Sequence, residues 1–348
     1  MFDINNILRE NIKNLKPYSS ARDEFQGEAS VYLDANENAF GSPLDTAYNR
    51  YPDPLQFQVK KRLSEIKGVP PRNIFLGNGS DEAIDILFRS FCNPVADNVI
   101  LVPPTYGMYE VSANINDVQI KKVNLTDDYQ LNMEGIAEAI DAHTKMIFIC
   151  SPNNPTGNSI NRDDIETLLT NFKGLVVVDE AYINFSRQKS FIQELTEYAN
   201  LVVLQTLSKA WGLAGLRVGM AFASEEIIEV MNKVKPPYNI NEASQQLALQ
   251  ALQNTTQVNA WIKEVLAERD KLVLELRNFE FVLDIYPSDA NFILVKTTDA
   301  KGIYNYLVQH GIIVRDRSKV ELCEGSLRFT IGTPKENVIL INTLKNFK

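Results

Sequence analysis

Between residues 73 and 235 the chain alternates short apolar runs with longer stretches of helical spacing. The apolar runs are 98–102 (NVILV), 118–123 (VQIKKV), 145–150 (KMIFIC), 175–179 (LVVVD), 201–205 (LVVLQ) and 218–222 (VGMAF). Several are apolar at consecutive positions, as strands covered on both faces must be. Between them, 82–91, 107–115, 133–140, 163–172, 190–198 and 225–234 carry apolar residues at helical intervals. Such alternation predicts an α/β fold, a mostly parallel sheet sandwiched by helices.

After residue 241 the pattern changes. A long helical region is expected over 241–279, broken near Asn254, Thr255 and Thr256. Strands are expected at 281–286, 292–295, 312–315 and 326–330, with a helix at 300–310 and another after Pro334. This part reads as a smaller α+β domain. The expected division is an N-terminal arm, 1–40, packing on the smaller domain, a large domain over 41–240 and a small one over 241–348. No internal repeat or low-complexity linker interrupts it.

Composition narrows the function classes. The formal net charge of -9 disfavours nucleic acid and anionic membranes as partners. A small anion remains compatible, since a few local cations offset a negative whole. The three cysteines are scattered and odd in number. They read as reduced thiols in a cytoplasmic protein, not as a disulfide frame or a zinc site. Two histidines exclude a His-rich metal site, and no metal is expected. The N-terminus lacks the apolar core of a signal peptide, and no run is long enough to span a bilayer.

Five segments carry candidate chemistry. TLSKAWGLAGLR (206–217) follows a strand at its carboxyl end, where open α/β sheets bind ligands. Lys209 alone would read as an exposed lysine, but Thr206, Ser208 and Arg217 beside it could converge on a phosphate and leave Lys209 to attack an aldehyde. DEAY (179–182) ends a buried strand, so Asp179 needs a partner. A protonated ring nitrogen and a helix-capping role both suit it. Tyr182 lies within reach of the same ring. SPNNPTG (151–157) predicts a tight turn, either a plain β-turn or one that holds an asparagine to donate to a ring oxygen. LGNGSDE (76–82) opens a helix and frees the amides of Ser80 and Asp81 for a phosphate, or supplies an ordinary cap. PPTYGMY (103–109) puts an aromatic ring at a strand end, for stacking or for the core.

Taken in order, these segments resemble the fold-type-I aminotransferases, and the resemblance covers nearly the whole chain. Within that group the chain is similar to the histidinol-phosphate aminotransferases. The similarity rests on KPYSSAR (16–22), LDANEN (33–38), YPDP (51–54), TYGMY (105–109), GIIVR (311–315) and LRFTIG (327–332). The one departure near Lys209 is Trp211, where the family commonly has Phe.

The resemblance implies a large domain with a mostly parallel sheet and a smaller α+β domain. It also implies pyridoxal 5'-phosphate as cofactor. Lys209 would join the cofactor's aldehyde and later shuttle a proton. Asp179 would pair with the pyridine nitrogen, Asn154 and Tyr182 would hold the ring hydroxyl, and Tyr106 would stack on the ring. Ser80, Asp81, Thr206, Ser208 and Arg217 would hold the phosphate, with Tyr51 reaching it from the second subunit of a homodimer. Arg328 would take the anionic end of the substrate, with Tyr18, Arg22, Asn36 and Arg315 as further substrate contacts. The implied substrates are a phosphorylated amine, histidinol phosphate, and 2-oxoglutarate or glutamate. Aromatic-amino-acid aminotransferases and threonine-phosphate decarboxylases share this scaffold and differ in the substrate pocket. Lysine has an ordinary pKa of ~10.4, so the site must lower that of Lys209 to keep its amine neutral.

Overall fold

Each of the six apolar runs is a strand, and a seventh joins them. The computed structural model describes residues 2–18 and 30–347. The strands are β1 (Ile74–Asn78), β2 (Asn98–Leu101), β3 (Gln119–Lys122), β4 (Thr144–Cys150), β5 (Leu175–Asp179), β6 (Leu201–Thr206) and β7 (Val218–Ala223). They form one sheet in the order β1-β7-β6-β5-β4-β2-β3. β2 to β6 run parallel, whereas β7 is antiparallel to both β6 and β1. β1 was not among the expected runs, because only Ile74, Phe75 and Leu76 are apolar before Gly77 and the turn into the helix.

Both faces of this sheet are covered, which explains the consecutive apolar positions. In β5, Val176 and Val178 enter one apolar cluster, and Leu175 and Val177 enter the other. The helix Gly79–Phe91 shows how sequence sets one layer. Ala83, Ile84, Leu87, Phe88 and Phe91 make one apolar stripe. Asp81 and Glu82 sit in its first turn and Arg89 in its last, each suited to the helix dipole.

A second sheet is antiparallel throughout. It consists of β8 (Val282–Ile285), β9 (Phe292–Thr297), β10 (Arg315–Asp316) and β11 (Ser326–Thr330), in the order β10-β11-β9-β8. The helices Thr255–Leu276, Ala300–Gln309 and Pro334–Leu344 bury residues in the same apolar cluster as this sheet. The last is closed by a capping box between Thr333 and Glu336, with Pro334 in its first turn.

Three expectations change. The helix expected at 190–198 is only a 3-10 turn, Phe191–Glu194. Its adjacent Phe191 and Ile192 are both buried, which breaks helical periodicity. The buried carboxylate of Glu180 also captures the Phe191 amide at 2.7 Å. The strand expected at 312–315 begins only at Arg315, because the amides of His310, Gly311 and Ile312 close the preceding helix. The arm was expected on the smaller domain. Ile4 and Ile7 instead pack in the cluster on one face of the large sheet, and the Arg9 amide donates to the Ser90 carbonyl. Among the described residues no helix is long and apolar enough to cross a membrane.

Phe148 of β4 is fully buried between Phe88 and Tyr109, with ring centroids 5.4 and 5.0 Å away. We expect Phe148→Ala to cost about 3–5 kcal/mol in urea unfolding. A loss under about 1 kcal/mol would contradict this packing.

Candidate active site

The carboxyl ends of β4, β5 and β6 open into a cavity of roughly 680 Å³. Strand alternation decides which side chains reach it. Asp179 continues the parity of Leu175 and Val177, and Thr206 that of Val202 and Leu204. Both are buried residues at the ends of neighbouring strands.

Asp179 is held by two hydrogen bonds. Tyr109 donates its hydroxyl to Oδ2 at 2.7 Å, and the Ala181 amide donates to Oδ1 at 3.0 Å. Burial pushes its carboxyl up to about 6, against the pull of these two donors. Cys150 faces Asp179 across the β4–β5 ladder and also lines the cavity.

A cradle forms beside this acid. Ser80 and Asp81 lie at the start of the helix Gly79–Phe91, whose first amides have no partner within the helix. A β-carbon on Gly219 of β7 would lie 2.1 Å from the Ser80 nitrogen, so only glycine lets this helix end seat against the strand. Arg217 adopts the left-handed region at φ 54° and faces the same turn; its guanidinium lies 3.4 Å from Asp81 Oδ2. Thr206 donates its hydroxyl to Ser208 Oγ at 3.0 Å. The Asp81 carboxylate also accepts from Tyr106 at 3.1 Å. Asp81 therefore offers an anion only its amide, while its acid group orients Arg217 and Tyr106.

Lys209 stands in the open part of the cavity, its Nζ 5.5 Å from the centre of the Tyr182 ring. The cavity walls hold its amine below the usual lysine range, and the cation of Arg328 pushes the same way. Asp179 opposes this shift. Tyr182 is buried, edge-on to Phe292 of β9 at 5.1 Å. Asn153 and Asn154 divide their work. Asn153 pins the turn by donating to the Pro104 carbonyl and to Thr156 Oγ1, both at 2.8 Å. Asn154 faces the cavity and accepts through Oδ1 from Arg328, leaving its amide hydrogens to donate.

Most of the expected residues meet in this one cavity. Ser80, Asp81, Tyr106, Asn154, Asp179 and Tyr182 line it, and so do Thr206, Ser208, Lys209, Arg217, Arg315 and Arg328. Tyr18 and Asn36, expected to touch substrate, are absent from its lining. Tyr18 is exposed, and Asn36 belongs to a surface segment tied to itself through Glu37, which accepts from Arg50 and from the Tyr51 amide. Tyr51 is also outside this chain's cavity and stacks on Tyr238 at 4.5 Å. Arg22 lies outside the described residues. Two residues were missed. Tyr109 follows Tyr106 by three positions, within one helical turn of it. Arg317 follows Arg315 by two, the strand interval that returns a side chain to the same face.

The family model for aminotransferase class I and II matches residues 33–344. The chain belongs to this family. A histidinol-phosphate aminotransferase from Cytophaga hutchinsonii is 55% identical over 346 residues, 99% of each chain. One from Parabacteroides distasonis is 55% identical over 348 residues, 100% of each chain. The crystal structure of a histidinol-phosphate aminotransferase from Sinorhizobium meliloti, in complex with pyridoxal-5'-phosphate, superposes with a TM-score of 0.79. It shares 22% identity, covering 89% of this chain and 88% of that one. The fold of this aminotransferase is thus the expected fold type, a large mostly parallel sheet and a smaller sheet with its helices.

The acid of this aminotransferase has a measurable signature. Asp179 titrates at about 6 when folded, against an ordinary 3.8. The folded carboxyl holds its proton to higher pH, so between these values the unfolded state ionises first. The resulting destabilisation is full above about pH 7, shrinks as pH falls through 6 and is gone below about 4. It amounts to about 3 kcal/mol. With no ligand bound, Asp179→Asn should therefore be more stable than wild type at pH 8, and the gap should close by pH 4. A gap of the same size at both pH values in denaturant melts would refute the assignment.

Proposed function

We propose that the chain is a pyridoxal 5'-phosphate-dependent histidinol-phosphate aminotransferase. It interconverts L-histidinol phosphate and 2-oxoglutarate with imidazole acetol phosphate and L-glutamate, a step of histidine biosynthesis. The observation that carries this reading is a single cavity with two sets of anion-binding groups and one lysine. Ser80, Thr206, Ser208 and Arg217 form the first set, and Arg315 and Arg328 belong to the second. The near-full-length similarity to histidinol-phosphate aminotransferases supports the same substrate.

The residues fit the cofactor. A helix start seated by Gly219, two hydroxyls and a guanidinium suit a phosphate. A buried acid suits a protonated ring nitrogen. When bound, the cofactor supplies an aldehyde for the substrate amine and a ring that withdraws electrons. The remaining work falls to the protein. Asp179 holds a proton at the ring nitrogen, helped by Tyr109. Asn154 and Tyr182 orient the ring hydroxyl, and Tyr106 covers the ring. Lys209, its amine held below the usual lysine range by burial and by Arg328, takes the proton from the substrate's Cα and returns it. Arg328 draws in the α-carboxylate of glutamate or the phosphate of histidinol phosphate, since a guanidinium fork accepts either.

In this reading residues 41–240 bind the cofactor, and 241–348 carry the arginines of the second set. The chain works in the cytoplasm, consistent with three buried and unpaired cysteines. It works as a homodimer, with Tyr51 reaching the partner's cavity. Leu33, Phe40, Leu44 and Phe57 are all more than half exposed and offer an apolar surface for that contact. Sedimentation at micromolar concentration should give a dimer; a monomer with full activity would exclude this role for Tyr51.

The direct test is transamination of histidinol phosphate with 2-oxoglutarate, run beside phenylalanine and threonine phosphate. Borohydride treatment should fix the cofactor on Lys209, and failure to trap it there would remove the reading. Arg328→Ala should lower kcat/KM by about 10²-fold or more with both glutamate and histidinol phosphate. Unchanged kinetics with either substrate would cancel the shared role.

A further inference from the structure

β10 and β11 present four polar side chains on one face. Arg315 is directly opposite Arg328 in the antiparallel ladder. The Arg317 amide donates to the Ser326 carbonyl at 3.0 Å, which sets Arg317 opposite Ser326. Ser326 and Arg328 are two residues apart on β11, and Arg315 and Arg317 two apart at β10. Strand alternation therefore brings all four to the same side. Arg315, Arg317 and Arg328 all line the cavity.

The cations of this face lack acids. Among the described residues no carboxylate lies within ion-pair distance of Arg315, Arg317 or Arg328. Arg217, by contrast, has Asp81. Three buried polar atoms in this corner have no hydrogen-bond partner: Arg317 Nε, Arg328 Nε and Ser326 Oγ. Buried polar groups are rarely left so, and this corner holds three, two of them on arginines that line the cavity. Burial holds the guanidinium of Arg317 below the usual arginine range, and its two arginine neighbours add to that. Among the described residues no carboxylate pairs with these cations to offset the repulsion, although the chain as a whole carries -9.

We propose that Arg317 is a specificity-determining residue that answers the second negative charge of a phosphate monoester and contributes little to binding a carboxylate. A carboxylate carries one charge and two acceptor oxygens, so Arg328 alone satisfies it. A phosphate monoester carries close to two charges at neutral pH and three acceptor oxygens. It has a use for a third guanidinium. Arg317 thus separates a phosphate from the single α-carboxylate that would occupy the same place at Arg328. The inference rests on the proposed function for the identity of the phosphorylated substrate, but not for the preference of the site.

The test uses the holoenzyme, in which the cofactor fills its own phosphate cradle, with inorganic phosphate and acetate as probes. Arg317→Gln should weaken phosphate binding about 10- to 100-fold by calorimetry, and acetate binding less than about 3-fold. Arg317→Lys should recover part of the phosphate affinity. In separate half-reactions, kcat/KM for histidinol phosphate should fall by the larger factor and that for glutamate by the smaller. Equal losses for both anions, no loss for phosphate, or no phosphate binding by wild type would overturn the proposal. If wild type binds phosphate through Arg317 yet does not transaminate histidinol phosphate, the proposed function fails while this inference stands.

Discussion

Ionising a carboxylate inside an apolar sheet costs several kcal/mol, and the two hydrogen bonds of Asp179 offset only part of it. The rest of the site is arranged around this imbalance. Tyr109 reaches the acid because its ring stacks against Phe148, itself packed on Phe88. The Ala181 amide reaches it because the chain turns sharply after β5. Donors on two sides leave the acid fixed in place but still hungry for a positive partner. In the proposed mechanism a ring nitrogen that can be protonated completes the set and ties the buried aspartate to the exposed lysine.

Much of this was legible in the sequence, for identifiable reasons. Strands buried on both faces leave consecutive apolar residues, so LVVVD and LVVLQ announce their own positions. Ligands at the carboxyl ends of parallel strands then put Asp179, Thr206 and Lys209 together. Other features depend on contacts the pattern does not encode. The 190–198 stretch looks helical until Glu180, ten residues earlier, takes the Phe191 amide. The placement of Ile4 and Ile7 depends on which surface is free, and periodicity says nothing of that. Tyr109 was visible in its motif, but its role needed the 2.7 Å distance to Asp179. Arg317 was open to a simple two-residue alternation and was passed over because the expected strand stopped at 315.

The two sheets contribute different chemistry. The larger one supplies a rigid floor, with a buried acid, a helix start and hydroxyls at fixed strand ends. The smaller one supplies mobile length, since arginine side chains carry charge on long stems. Tyr182 and Phe292 meet edge to face where the two come together, in an apolar contact that also includes Phe185 and Ala210. In the proposed function, a substrate lies between a surface built for one cofactor and a surface that has to tolerate more than one tail.

The bond from Arg328 to Asn154 crosses that boundary. It has a consequence for anyone redesigning the enzyme's substrate range. Replacing position 328 with a neutral side chain would also free the carbonyl of Asn154 and let its amide swivel, disturbing the floor. Among the described residues the side chains at 315 and 317 carry no such tether. A library that holds 328 constant and varies those two would explore new substrates while sparing the chemistry beneath them.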